Sequence, residues 1–282
     1  MWKEHPFAMS TIADINATRR ELRAWKFDVC VDMQGSLKSA VVGRMAGTAT
    51  FVGPAEPREA PARWLYRQRV ATSAVHVVEQ GCELLGGAFG ETLTPGTVTL
   101  PMDEEDEAWC ETLLSRTQLE AGRFAFIAPT AGWGAKQWPA ERFGAVAAEL
   151  RRAGYRTLVN EALGDRLADG VIAASEGAAT LVPCSIGQMI ALVRRASLVI
   201  AGDTGPLHLA AALGQQVVGL YRQTAPARNG PYGTRSRVLR HAASVTDHSR
   251  HASTEEGLMQ ITVDEVVAAA LELLGEQGKV EL

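Results

Sequence analysis

The sequence predicts an α/β protein built on parallel sheets, and three observations lead to that prediction. Short apolar runs alternate with amphipathic helical segments along much of the chain, as they do in βαβ units. Glycine follows several of the apolar runs, which is typical of the edge where such sheets bind ligands. The length of 282 residues is enough for two domains of ordinary size. We predict one domain over residues 1–118 and a second over residues 119–282.

The composition excludes several classes of protein. Hydrophobic residues make up 46% of the chain and charged residues 21%, as in globular proteins. The net charge of −4 argues against non-specific nucleic-acid binding, so no nucleic-acid partner is predicted. The four cysteines are far apart and form no CxxC pair, which indicates neither a zinc site nor a disulfide framework. We therefore predict no metal site and a reducing compartment.

The sequence shows no hydrophobic targeting or anchoring segment. No apolar run reaches the length of about 18 residues that a membrane span requires. The first ten residues lack the apolar core of a signal peptide. A cytoplasmic protein without a transmembrane segment is expected.

The predicted first domain opens on a helix at residues 11–26, whereas α/β domains usually open on a strand. A strand at residues 27–33 then leads to Gly35, at the strand end where α/β proteins gather ligands. Lys38 lies at the opening of the next helix. The remaining elements predicted in this part are a helix at residues 40–45, a strand at 48–52, a helix at 76–85 and an acidic helix start at 103–107.

Residues 53–69 are predicted to form a loop and helix rich in arginine. The arginines are Arg58, Arg63, Arg67 and Arg69. A cluster of this kind is usually a solvated face. If it lines a cleft, it is a surface for an anionic acceptor, because guanidinium groups pair bidentately with phosphate and carboxylate. The residues alone leave both interpretations open.

The predicted second domain begins with a strand at residues 124–128 and a loop that contains two glycines and Lys136. The glycines permit close approach of the backbone to a ligand, and Lys136 supplies a positive charge beside them. After a helix at 141–153 and a strand at 155–159, Glu161 occupies a position where a carboxylate often binds ribose hydroxyls. Both Lys136 and Glu161 are alternatively exposed loop residues.

Residues 198–221 predict a strand, a glycine turn, a helix and a further strand. Asp203 or Thr204 is placed to cap the helix, whose exposed amides suit a phosphate, and His208 adds a donor in the first turn. The alternative is an ordinary βαβ crossover with Asp203 as cap and His208 as a packing residue. Other predicted elements are a strand at 180–182, a helix at 186–195, a strand at 236–239 and a helix at 262–275. Lys136, Glu161 and the turn at 203–208 all fall at one edge of the predicted sheet.

Two motifs resemble a known family. Asp203-Thr204-Gly205 with His208, preceded by the sequence KQWPAERF at 136–143, resembles the ADP-heptose:lipopolysaccharide heptosyltransferases of glycosyltransferase family nine. The sequence DVCVDMQGSLKSA at 28–40 looks most like the members that add the first heptose to Kdo. The resemblance implies a GT-B architecture of two Rossmann-like domains, with the nucleotide sugar held mainly by the second.

The resemblance also implies roles for individual residues. Lys136 and Asp203 are expected at the reacting centre, Lys136 on the diphosphate and Asp203 close to the sugar. The expected substrate-binding residues are Thr130, Thr204, Gly205 and His208 near the phosphates, Glu161 at the ribose, and Lys38 and Arg58 at the acceptor. The implied donor is ADP-heptose, without a further cofactor, and the implied acceptor is Kdo-lipid A at the inner membrane surface.

The sequence departs from the family pattern at two places. Relatives carry a general-base Asp on an N-terminal strand and glycine-rich loop, and this sequence starts after it, so the first domain is expected to lack two strand–helix units of roughly 30 residues each. Arg222-Gln223 stands where Gly-Pro is common in the family. Two further hypotheses are therefore a remnant that binds ADP-sugar without catalysis, and another GT-B sugar-nucleotide enzyme such as an epimerase.

Overall fold

The computed structural model describes residues 9–129, 138–161, 167–222, 224–241 and 256–277. The chain divides into two compact units, Met1–Gly96 (unit 1) and Thr97–Leu282 (unit 2). All strand pairs described in the two units are parallel, which confirms the predicted α/β class.

In the described part of unit 1, three strands form a sheet in the order β1-β2-β3. The strands are β1 (Val29–Val31), β2 (Thr50–Pro54) and β3 (Gln68–Val70), and the helices are α1 (Met9–Ala24), α2 (Leu37–Met45) and α3 (Val77–Phe89), with a 3-10 helix at Ala60–Trp64. The buried core is small and includes Phe51 and Tyr66, whose rings meet edge to face at 5.4 Å. Strand β3 was not predicted, because two of its three residues are exposed and polar and it lacks an apolar run.

The described strands of unit 2 form a six-stranded sheet in the order β6-β5-β4-β7-β8-β9. The strands are β4 (Phe124–Ala128), β5 (Arg156–Glu161), β6 (Ala179–Pro183), β7 (Leu198–Gly202), β8 (Val217–Leu220) and β9 (Ser236–Leu239). The helices are α4 (Glu104–Thr117), α5 (Ala140–Arg152), α6 (Leu167–Ala174), α7 (Ile186–Arg195), α8 (Gly205–Ala212), α9 (Pro226–Asn229), α10 (Glu256–Met259) and α11 (Val263–Gln277).

The strand order of unit 2 reverses between β4 and β7, which lie side by side at the centre of the sheet. Two apolar clusters form the core of this unit, and each takes alternate residues of β4 and β7, so the sheet is covered on both faces. In a doubly wound sheet, ligands bind outside the carboxyl ends of the strands at such a reversal. The residues that follow β4 and β7 are therefore the first place to look for a site.

The boundary between the units lies at Gly96, earlier than the predicted position after residue 118. Helix α4 belongs to unit 2, because Cys110 and Leu114 are buried in the cluster that contains Phe124. Glu107 on the same helix accepts a hydrogen bond from Arg194 of α7 at 2.9 Å. The guanidinium of Arg194 also donates to the carbonyls of Leu100 and Pro101, at 2.7 and 3.1 Å. The acidic run at 103–107 therefore marks a helix start, where Asp103 caps α4, and not a domain boundary.

Helix α6 was not predicted, since its eight residues are too few to show helical periodicity clearly. Among the described residues, every helix is too short or too polar to cross a membrane.

Candidate functional site

The turn after β7 leaves the start of helix α8 open. Thr204 holds the N-cap position with an extended backbone (φ −143°, ψ 170°), but its hydroxyl donates to the carbonyl of Gly202 at 3.2 Å. The prediction that a side chain caps this helix is wrong within the described residues. A Cβ added to Gly205 would meet nothing within 4 Å, so the described residues leave the space beside Gly205 open. Pro206 has no N–H, and the amides of Leu207 and His208 donate to the carbonyl of Thr204 at 3.1 and 3.4 Å. The amide of Gly205 is therefore the one that the first turn offers to an anionic ligand at the positive end of the helix.

Asp203 is bound on both carboxylate oxygens. Its Oδ1 lies 2.9 Å from Nε2 of His208, and its Oδ2 accepts a hydrogen bond from the Thr224 hydroxyl. Burial raises the pKa of Asp203, but the hydrogen bonds from His208 and Thr224 outweigh burial and lower the net pKa below its ordinary value. Asp203 is therefore ionised at neutral pH. Its side chain keeps 22% exposure, which leaves it within reach of a bound molecule.

His208 faces solvent beside this carboxylate. The side chain is 43% exposed, so the interpretation as a packing residue is wrong. Because Nε2 is taken by Asp203, the ring orientation is fixed and Nδ1 remains for a ligand. The structure thus brings together four residues predicted for this site, which are Asp203, Thr204, Gly205 and His208.

Two residues of this site were missed at the sequence level. Thr224 lies beyond the end of β8, the strand next to β7, and bonds Asp203 from there. Tyr221 is fully buried, and its hydroxyl donates to the carbonyl of Asn229 at 3.0 Å. Burial and the neighbouring charge of Asp203 raise the pKa of Tyr221. Their position in the sequence could have indicated this, because both residues follow β8 and the carboxyl ends of adjacent parallel strands meet at one edge of the sheet.

The other residues predicted in this domain fall at the same edge of the sheet or outside the described residues. Thr130 and Lys136 lie outside them, in the chain that follows β4, and the last residue of β4, Ala128, pairs with Ala201 of β7. Glu161 ends β5 opposite Pro183, and its side chain is outside the description. Arg222 and Gln223 stand where Gly-Pro is expected from the resemblance. Arg222 is buried, and Gln223 lies outside the described residues.

Unit 1 holds the two cations predicted at the acceptor. Lys38, in the first turn of α2, is exposed and lines a cavity of about 430 Å³ together with Asp32 and Gln34. Arg58 is exposed in the segment that follows β2. Among the described residues, neither Lys38 nor Arg58 forms an ion pair with a carboxylate. The remaining arginines of the cluster, Arg63, Arg67 and Arg69, are exposed as well.

Residues 15–259 match the sequence model of Glycosyltransferase family 9 (heptosyltransferase), which is most of the chain. The chain belongs to glycosyltransferase family 9. It is accordingly a transferase enzyme, and the resemblance drawn from the motifs at 28–40, 136–143 and 203–208 is confirmed.

Curated members of family 9 show moderate identity to this chain. Lipopolysaccharide heptosyltransferase 1 of Escherichia coli (strain K12) is 27% identical over 248 residues, which cover 85% of this chain and 74% of that protein. Lipopolysaccharide heptosyltransferase 1 of Pseudomonas aeruginosa is 28% identical over 242 residues, which cover 84% of this chain and 66% of that protein.

Solved structures of family 9 proteins share the fold. A glycosyltransferase family 9 protein from Veillonella parvula superposes with a TM-score of 0.76 at 22% identity, covering 94% of this chain and 79% of that one. The E. coli heptosyltransferase WaaC with ADP gives a TM-score of 0.72 at 24% identity, covering 96% and 81%. The predicted GT-B class is confirmed by this likeness.

Proposed function

We propose that this family 9 enzyme transfers heptose from ADP-heptose to the Kdo of the lipopolysaccharide inner core. The observation that carries the proposal is the turn at 203–205, where an ionised carboxylate lies beside an uncapped helix start at the central strand reversal of unit 2. The printed names of the curated relatives, lipopolysaccharide heptosyltransferase 1, support the reaction. A WaaC structure with ADP-2-deoxy-2-fluoro heptose supports the donor.

On the donor side, the amide of Gly205 at the start of α8 and Lys136 bind the diphosphate, with His208 and Thr130 beside it. As the acceptor hydroxyl attacks the anomeric carbon and loses its proton to solvent, the bond to ADP breaks and negative charge grows on the diphosphate. Lys136, the Gly205 amide and His208 offset that charge, so no metal ion is proposed. Asp203, held ionised by His208 and Thr224, accepts hydrogen bonds from the sugar hydroxyls, and Glu161 accepts them from the ribose.

On the acceptor side, Lys38 and Arg58 bind anionic groups of Kdo-lipid A. Both are exposed cations without a carboxylate partner among the described residues. Since the acceptor is a lipid, we place the enzyme in the cytoplasm, at the inner face of the inner membrane.

Transfer is tested with the purified chain, ADP-heptose and Kdo-lipid A, with ADP release and the mass of the lipid product as readouts. We expect ADP and a lipid one heptose heavier, and no product from a UDP-sugar. Binding of ADP without transfer would identify the non-catalytic ADP-sugar protein instead. A preference for a UDP-sugar would favour another GT-B enzyme.

Two lysines provide a matched pair of variants for the assignment of the two substrates. Lys136→Ala is expected to weaken ADP binding by about tenfold or more, measured by calorimetry, because one charge-assisted contact is lost. Lys38→Ala is expected to leave ADP binding unchanged and to raise the KM for Kdo-lipid A. The reverse pattern would overturn the assignment.

A further inference from the structure

A buried carboxylate organises the chain at the carboxyl end of β1. Asp32 is 5% exposed, and its Oδ1 accepts hydrogen bonds from the amides of Gln34 and Gly35 at 3.0 and 3.1 Å. Its Oδ2 accepts from the Ser39 hydroxyl at 3.0 Å and from the Tyr66 hydroxyl at 2.7 Å. The loop, helix α2 and a residue just before β3 are thereby tied to one group.

A second carboxylate ties this loop to the segment that carries Arg58. Glu59 accepts a hydrogen bond from the amide of Leu37 at 2.9 Å, and its own amide donates to the carbonyl of Gly35 at 2.9 Å. Gly35 has a φ of +65°, and a Cβ there would lie 3.0 Å from the amide nitrogen of Arg58. The two segments therefore pack backbone against backbone, with space only for glycine.

These contacts fix the conformation of the loop at residues 32–37. A buried carboxylate is costly unless donors surround it, and here the donors come from three separate parts of the chain. Burial and the contact with Asp32 raise the pKa of Tyr66, so its hydroxyl stays a donor at neutral pH. Asp32, Glu59 and Tyr66, with the hydrogen bonds just described, are called the clamp below. Lys38 follows Leu37, whose amide donates to Glu59, and Arg58 comes immediately before Glu59.

We propose that Asp32, Glu59 and Tyr66 are positioning residues that hold Lys38 and Arg58 as a preorganised two-cation subsite for the anionic groups of the acceptor. The inference rests on the proposed function, since it names what fixes the residues of unit 1 that bind the acceptor. Fixing the cations before binding reduces the conformational entropy lost when the acceptor docks. Lys38 and Arg58 contact the acceptor, and the three positioning residues act through them.

The test compares Tyr66→Phe, which removes a single hydroxyl, with the control Arg44→Gln at the far end of α2. We expect Tyr66→Phe to raise the KM for Kdo-lipid A about fivefold, with the KM for ADP-heptose and kcat unchanged, as for a lost contribution of about 1 kcal/mol. Arg44→Gln is expected to change none of these constants. Equal changes in both KM values, or a lowered melting temperature with no change in KM, would overturn the proposal.

A double-mutant cycle separates positioning from a merely structural role. If Tyr66 acts through Lys38 and Arg58, the effect of Tyr66→Phe on the acceptor KM shrinks to less than about twofold in a background that carries both Lys38→Ala and Arg58→Ala. A full fivefold effect in that background overturns the clamp while leaving the proposed function intact. Repeating the cycle with dephosphorylated Kdo-lipid A identifies the anion: an abolished effect assigns the subsite to phosphate, and a retained effect assigns it to the Kdo carboxylate.

Absence of transfer by the unaltered chain overturns the proposed function but not the clamp. The same cycle is then read from direct binding of Kdo-lipid A micelles. Coupling between Tyr66→Phe and the combined Lys38→Ala and Arg58→Ala change supports the positioning role, and additivity overturns it.

Discussion

Asp32 in unit 1 and Asp203 in unit 2 occupy the same kind of position, directly after a parallel strand and before a helix. Their surroundings differ. Asp32 is 5% exposed and accepts from backbone amides and hydroxyls, whereas the side chain of Asp203 is 22% exposed and one of its partners is a half-exposed imidazole. The partners, more than the position in the chain, separate a carboxylate that fixes the backbone from one that faces a ligand.

The helices that follow the two aspartates repeat this contrast. Ser36 and Ser39 form a capping box at the start of α2, so that helix satisfies its own first turn. Helix α8 has no such side-chain cap among the described residues, and the space around Gly205 is open. An anion can therefore bind the start of α8 without displacing a cap.

The largest expected effect tests whether Asp32 stabilises the fold of unit 1. Asp32→Ala leaves two amides and two hydroxyls without their acceptor and should lower the free energy of unfolding of unit 1 by about 3 kcal/mol. Urea-dependent hydrogen exchange at the backbone amides of Phe51 and Val52, buried in β2 of unit 1, measures this loss. Asp203→Asn should change stability by less than about 1 kcal/mol, and equal losses would contradict the distinction.

The next effect tests whether the charge of Asp203 contributes to the rate of transfer. Asp203→Asn keeps the side-chain volume and removes the charge, so kcat/KM should fall about 100-fold, or about 2.7 kcal/mol of transition-state stabilisation. Initial rates of ADP release at varied ADP-heptose measure it. A fall of the same size in Asp32→Asn, with that variant fully folded, would erase the difference between the two aspartates.

A smaller effect is expected from Thr224, which lies beyond the end of β8 and donates a hydrogen bond to Asp203. Thr224→Val removes the donor to Oδ2 and should raise the KM for ADP-heptose about fivefold, since one hydrogen bond contributes about 1 kcal/mol. Thr224→Ser keeps the hydroxyl and should restore the KM. Failure of serine to restore it would mean that the methyl group, and not the hydrogen bond, matters.

The smallest effect is a dependence on pH. Because the pKa of Asp203 is lowered in the folded state, its stabilising contribution is present above its unfolded pKa of about 3.9 and is lost as pH falls through the folded value. His208→Ala removes one cause of that lowering and should destabilise unit 2 by less than about 1 kcal/mol at neutral pH. The difference from the unaltered chain should vanish below the folded pKa. Urea unfolding at neutral and acid pH measures it, with Arg116→Gln in unit 2 as the control, because Arg116 is exposed and forms no ion pair among the described residues.

The sequence predicted β4, β7 and β8 because each is a nearly continuous apolar run, and β4 is buried along its whole length. It predicted the grouping of Asp203, Gly205 and His208, which lie within six residues. It missed the bond from Thr224 and the one from Tyr66 to Asp32, whose partners are 21 and 34 residues apart. Such contacts depend on how strands lie side by side, which no local pattern records.

The bonds from Arg194 to the carbonyls of Leu100 and Pro101 matter for anyone who dissects the enzyme into fragments. A fragment that begins at residue 119 would lack Cys110 and Leu114, which pack in the same apolar cluster as Phe124. It would also lack Glu107, so the guanidinium groups of Arg194 and Arg195 would lose their shared carboxylate partner. A fragment begun at residue 97 keeps both. We therefore expect a protease to cleave the chain before Thr97. Cleavage is not expected at Leu100 or Pro101, whose carbonyls accept hydrogen bonds from Arg194.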